Sequence, residues 1–233
     1  MTLDKKDFIA IEFTGRVKNG EIFDSNIKED LLQKGVPPEA KNANLKTEPK
    51  PFVFCLGEGM FLKAIDDFLI GKDIGKYEIE LQPEKAFGNR NSKLIQMIPL
   101  KIFREQKINP IPGIIFNFDG RIAKILTVSG GRVMVDFNNP IAGKIVTYQI
   151  KILRKIENIN EKIKSLNEFL FKKDFKFNII DKKLFIEVEK PMTKFVEMFK
   201  DKFKDIFGLD LEVKEIMEEK SKEYKPKPLK KSQ

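Results

Sequence analysis

Short runs of alternating apolar and polar residues, broken by glycine turns, occupy most of this chain and point to antiparallel sheet. The first, FIAIEFTGRV, sets Phe8, Ala10 and Glu12 on one side of a strand and Ile9, Ile11 and Phe13 on the other. Lys18-Asn19-Gly20-Glu21 then supplies an Asn-Gly turn into EIFDS, a hairpin signal because such turns need positive φ. PFVFCLG reads as a strand that stops at Gly57, and KYEIELQ alternates Tyr77, Ile79 and Leu81 against Glu78 and Glu80. Between them Phe61, Leu62, Ile65, Phe68 and Leu69 share one helical face, closed by Gly71 as a C-cap. A parallel sheet needs repeated strand–helix–strand units, which the chain lacks.

Residues 26–50 are polar and loop-like. Past Ala86-Phe87-Gly88 the texture turns basic and proline-bearing, with strand candidates at 114–118, 121–128 and 132–137 joined by Asp119-Gly120 and Ser129-Gly130-Gly131. KIVTYQIKIL reads as a closing strand. An α+β module follows: the helix INEKIKSLNEFLF, a hairpin from FKFNII and LFIEVE, the helix MTKFVEMFKDKFKDIF, and a strand LEVKEIM. The second helix carries Phe195, Phe199 and Phe203 at i, i+4, i+8 spacing. The ending YKPKPLKKSQ alternates Lys with Pro, which no helix tolerates, and reads as a mobile tail.

Composition excludes several classes. With 233 residues, 41% apolar and 34% charged, the chain is globular and long enough for two or three modules. No apolar run is long enough to span a membrane, and the start has no secretory h-region. One cysteine cannot close an internal disulfide, so a cytoplasmic setting is expected. Histidine is absent, which removes Ser-His-Asp and Cys-His catalysis. The Lys, Glu, Ile and Phe richness is compatible with a thermophile. The basic excess is local: residues 89–139 carry eight Lys and Arg against three Asp and Glu, whereas 1–88 and 140–152 together carry fifteen against sixteen.

Six motifs stand in a fixed order: Phe13-Thr14-Gly15, Gly20-Glu21-Ile22-Phe23-Asp24-Ser25, the strand at 51–57, the helix at 61–69, Ala86-Phe87-Gly88, and Tyr148-Gln149-Ile150-Lys151-Ile152. Together they resemble, over roughly residues 1–152, the FKBP family of peptidyl-prolyl cis-trans isomerases. The block 89–139 lies where SlyD-like members carry an insert-in-flap chaperone domain, and the further module resembles the archaeal long type. The resemblance implies an α+β fold. An FKBP-like antiparallel half-barrel wrapped on one helix would occupy 1–88 and 139–153, and a small β-rich insert 89–138. A C-terminal α+β domain would occupy 154–223, and a basic flexible tail 224–233.

The resemblance also implies a prolyl isomerase with no cofactor and no metal, acting on unfolded or partly folded polypeptides. Asp24, Phe87 and Tyr148 would be its catalytic residues; Phe13, Phe23, Phe52, Phe61, Leu62 and Ile65 would bind substrate. Ile65 stands where many members have Trp, and Phe13 and Phe87 where Tyr is common, which predicts weak binding of the macrolide FK506 with activity kept. In the insert, Ile95, Met97, Ile98, Phe103, Ile108 and Ile111 would form an apolar groove for unfolded segments, some doubling as the small domain's own core.

The chemistry suits a chain without histidine. An X-Pro bond turns slowly because amide resonance resists twisting, with a barrier of roughly 18–20 kcal/mol. A dry apolar bowl penalises the twisted, less charge-separated amide less than the planar one, and needs neither nucleophile nor metal. Taken singly, the aromatic residues read as plain core, and Asp24 as a turn carboxylate. Other readings stay open: a non-catalytic holdase, or a ribosome- or RNA-associated adaptor acting through the basic insert or tail. A homodimer through the phenylalanine face of the C-terminal module is a further expectation. Gly57-Glu58-Gly59 followed by Lys63 imitates a phosphate loop but lacks the third glycine and the Lys-Ser/Thr ending.

Overall fold

The computed structural model describes residues 2–32, 50–118 and 120–216, which divide into two compact units between Glu157 and Asn158. The basic tail and most of the loop at 26–50 lie outside the described residues. The first unit is built around β1 (Phe8–Val17), whose ten residues are long enough to pair with three strands. β2 (Ile22–Ser25) pairs antiparallel with its second half, and β3 (Phe52–Cys55) with Phe8–Ile11. On the other edge of β1 runs β9 (Val146–Lys155), which also pairs with β4 (Lys76–Leu81). The order is β2-β1-β9-β4, all antiparallel. The turn at 18–21 forms as the sequence suggests, with Asn19 at positive φ and Gly20 N–H donating to the Val17 carbonyl.

A short helix α1 (Lys28–Leu31) follows β2, and α2 (Lys63–Leu69) follows β3. Ile65 and Leu69 of α2 are fully buried, as are Ile9, Ile11, Phe54 and Cys55. Phe61 and Leu62 are not on the helical face expected for them, because Leu62 is extended and the helix begins one residue later. Gly71 ends the helix at positive φ, as its position predicts.

A second sheet, order β5-β8-β7-β6, contains β5 (Ile95–Pro99), β6 (Ile115–Phe118), β7 (Arg121–Ser129) and β8 (Arg132–Asp136). The sequence reading missed β5. With α3 (Leu100–Glu105) this sheet encloses its own core of Ile98, Phe103, Ala123, Ile125, Val133 and Val135. The groove expectation is corrected here: Phe103 is 0% exposed and Ile98 lies in the same core, with Ile108 packed against it. Neither Phe103 nor Ile98 can offer itself to a passing chain. Met97 and Ile111 are exposed and Ile95 is half-buried. Two residues that were not singled out, Ile115 and Ile122, are exposed instead. Strand pairing explains the sorting, since Ile95, Asp136, Lys124 and Ile115 stand opposite one another across all four strands and share one face.

The second unit begins with α4 (Ile159–Phe171), capped by Asn158, whose side-chain oxygen accepts from the N–H groups of Asn160 and Glu161. β10 (Phe177–Ile180) and β11 (Lys183–Glu189) form the expected hairpin, and β12 (Asp210–Ile216) joins β11 in parallel. The expected single helix is two, α5 (Thr193–Glu197) and α6 (Lys200–Phe207), broken at Met198-Phe199. Phe195, Phe199 and Phe203 then all meet the Phe171 ring, at centroid distances of 5.9, 5.3 and 6.5 Å. The stripe thus packs within its own unit, although Phe195 keeps an exposed edge. No helix among the described residues is long and apolar enough to cross a membrane.

Because the second sheet has its own core, Phe103→Ala should weaken it locally by about 3–5 kcal/mol. Hydrogen exchange checks this: amides of 95–136 should lose protection while those of β1 and β9 keep theirs.

Candidate active site

The site rests on one register. Pairing of β1 with β9 sets Gly15 opposite Tyr148, and pairing with β2 sets Asp24 opposite Gly15 on the other side. A Cβ at position 15 would lie 2.8 Å from Phe23 Cζ and 2.9 Å from Tyr148 Cε1, closer than any side chain allows. Glycine leaves that space to the two rings, which meet edge to face at 5.7 Å. Phe23 also meets Phe87 edge to face at 5.4 Å. From Tyr148 the cluster continues to Phe61 at 5.6 Å, and from Phe61 to Phe13 at 4.9 Å and Phe52 at 5.5 Å.

The aromatic residues singled out from the sequence therefore come together. Phe13, Ile65 and Tyr148 are buried, whereas Phe23, Phe52, Phe61, Leu62 and Phe87 are half-buried and keep accessible surface. Leu62 lines a depression with Ile79 and Ala86 rather than joining the ring cluster. Among the described residues no group of three or more His, Cys, Asp or Glu is placed to hold a metal ion.

Polar residues fix this apolar surface from behind. Asn26 accepts from Phe13 N–H at 2.7 Å and donates to the Ile11 carbonyl at 2.9 Å, while the Ser25 hydroxyl donates to the Phe13 carbonyl at 3.1 Å. Asp24 sits half-buried beside Tyr148; desolvation raises its pKa to about 6, against a backbone hydrogen bond from Ser25 that lowers it. Burial and then the Asp24 charge push the Tyr148 phenol well above its ordinary range, so it stays protonated. Within α2, Asp66 is only 2% exposed and accepts from Gly59 N–H at 3.3 Å, anchoring the turn that delivers Phe61. Its pKa is also raised to about 6, chiefly by burial. Gly15, Asn26 and Asp66 were not assigned a site role from sequence. Only the motif around Gly15 carried a signal; the others act through contacts between distant segments.

The Phe23 ring has a second neighbour. With Ile22 and Ile141 it lines a cleft of about 560 Å³ whose other wall is the outer face of the second sheet, through Ile115, Ile122 and Leu126. Phe23 thus belongs to the aromatic cluster and also borders the cleft that the exposed apolar residues of that sheet line.

The FKBP-type peptidyl-prolyl cis-trans isomerase family matches residues 1–101, and the family described as FKBP26, IF domain matches 96–141. A short-type peptidyl-prolyl cis-trans isomerase of Methanocaldococcus jannaschii is 30% identical over 151 residues, which span 64% of this chain and 92% of that protein. An FKBP-type 16 kDa peptidyl-prolyl cis-trans isomerase of Escherichia coli (strain K12) is 33% identical over 110 residues, 45% of this chain and 73% of the relative. The FKBP-type peptidyl-prolyl cis-trans isomerase SlyD of Aeromonas hydrophila is 22% identical over 147 residues, 62% of this chain and 60% of that one.

Gly15→Ala should separate the Phe23 and Tyr148 rings without removing any polar group. The expected result is a loss of X-Pro isomerisation of about tenfold, ~1.4 kcal/mol in the barrier, with far-ultraviolet circular dichroism unchanged. A stopped-flow peptide assay measures it.

Proposed function

The chain belongs to the FKBP-type peptidyl-prolyl cis-trans isomerases, and from that premise we propose that it speeds proline-limited folding by gripping one polypeptide at two sites. The X-Pro bond enters the aromatic bowl of Phe13, Phe23, Phe61, Phe87 and Tyr148, while the outer face of the insert sheet holds an apolar stretch of the same chain. The observation that carries this reading is Phe23, whose ring belongs to the bowl on one side and lines the cleft on the other.

In the bowl, proline loses water on both faces of its ring. The planar amide loses more solvation than the twisted one, and the barrier falls by that difference. The protonated Tyr148 phenol is a donor beside the reacting amide, and the Asp24 carboxylate orients its dipole from the half-buried edge. Each grip is weak alone. Tethering makes the second an intramolecular event, so an unfolded chain is held where a short peptide is not. A purely non-catalytic holdase or an RNA adaptor has no use for this bowl.

Peptide isomerisation across pH tests the role of Asp24. The carboxylate is the active form in this reading, so kcat/KM should fall on the acid side with a midpoint near 6. Asp24→Asn should flatten the profile and lower activity by about tenfold. Asp66→Asn separates the two raised carboxyls, because it should leave the Asp24 profile in place. A wild-type rate independent of pH between about 5 and 8 would sink the assignment.

We further propose that the second unit forms a homodimer. Ile179 and Ile180 on β10 and Phe195 and Met198 around α5 are exposed apolar residues that a second copy would cover. Light scattering of the full chain at micromolar concentration should give twice the monomer mass, and a monomer mass would refute the proposal.

A further inference from the structure

The insert is carried on two backbone segments that run side by side, one around Gly88–Asn91 and the other around Asp136–Gly143, and a single polar cluster ties them together. Asp136, the last residue of β8, is buried at 8% exposure. One of its carboxylate oxygens accepts from the Arg90 guanidinium. The other accepts from the Asn138 side chain at 2.6 Å and from Asn138 N–H at 2.9 Å. Asn138 in turn accepts from Asn91 N–H at 2.8 Å and donates to the Asn91 carbonyl at 3.0 Å. Backbone bonds close the junction on either side, from Phe137 to Leu94 at 2.9 Å and from Gly143 to Gly88 at 2.8 Å. Burial alone would raise the Asp136 pKa, but the bonds from Asn138 and the charge of Arg90 outweigh it and hold the carboxyl below its ordinary value.

Two backbone bonds keep a pair of linking segments together but leave them free to twist. The network of the Arg90, Asp136 and Asn138 side chains, closed on the Asn91 backbone, removes that freedom, because a charge-assisted, directional network has one good geometry. Its location matters as much as its strength. Arg90, Asp136 and Asn138 all border the cleft that Phe23 shares with the insert sheet. We propose that Arg90, Asp136 and Asn138 are positioning residues that hold the insert sheet at a set angle over the bowl, and so give the enzyme its preference for unfolded chains over short peptides. The proposal rests on the two-site reading given above. None of the three residues needs to touch the reacting bond. If they are loosened, the insert samples many angles and the effective concentration of its site for a chain already in the bowl falls.

Arg90→Ala in the full chain is the first test, since its side chain is half exposed and lies outside the buried core. Asp136→Asn is the second, and each variant is checked for an unchanged melting profile of β1–β9 by hydrogen exchange. On a short X-Pro peptide both should retain wild-type kcat/KM within about twofold, whereas on an unfolded, proline-limited protein kcat/KM should fall by about tenfold, with KM raised and kcat kept. Arg90→Lys, which keeps the charge, should recover part of the loss. Equal losses on peptide and protein would overturn the proposal, because damage to the bowl does that. Unchanged ratios in both variants would overturn it too. If the wild type itself handles the unfolded protein no better than the peptide, the two-site reading falls, and this inference with it.

Discussion

Everything at the active site depends on Gly15 lying opposite Tyr148 across β1 and β9. The two residues are far apart in sequence, and the whole insert intervenes before β9 returns to take its place between β1 and β4. Once that register is set, the missing side chain at position 15 is filled by the Phe23 and Tyr148 rings, which in turn meet Phe87 and Phe61. A slip of one residue would turn Tyr148 to the opposite face and leave no bowl. The ring cluster is therefore a property of sheet closure, not of any one segment.

The site also carries a cost in stability. Asp24 and Asp66 are carboxylates held where burial raises their pKa to about 6, and among the described residues neither is given an arginine or lysine partner that offsets it. Such groups persist where they serve function. Asp66 secures the turn that carries Phe61 through Gly59 N–H, so a buried carboxyl of the helix positions a ring on the turn before it. Asp136 shows the opposite solution at the insert junction, where a guanidinium and two amide bonds compensate the buried charge fully.

The insert and the ring cluster present hydrophobic surfaces of different kinds. The insert's core residues, Phe103 and Ile98 among them, make it a body that holds its shape, and its outer face presents Ile115 and Ile122 to the cleft. An exposed apolar face of this kind binds many sequences weakly, the property on which the proposed second grip relies. The ring cluster is of another kind, aromatic edges and faces packed on one another around Phe61 and Tyr148.

Much of this was legible in the sequence. Alternation and turn chemistry are local, so β1, the Asn19 turn, β4, β7, β8 and the Gly71 cap follow from neighbouring residues. The ordered motifs also named the aromatic residues that the structure brings into one ring cluster. What the sequence could not determine was direction. Ile98 and Phe103 are as apolar as Ile122, and only the pairing of β5, β8 and β7 decides which of them face the core and which the cleft. The same holds for Phe61, which local periodicity places on a helix and tertiary packing places on the turn before it. The phenylalanine stripe of α5 and α6 is read from spacing as one straight helix, but its contacts with Phe171 are met by a break at Phe199. Periodicity reports that a face is apolar; what that face meets depends on segments distant in the chain, and that is settled only when the sheet closes.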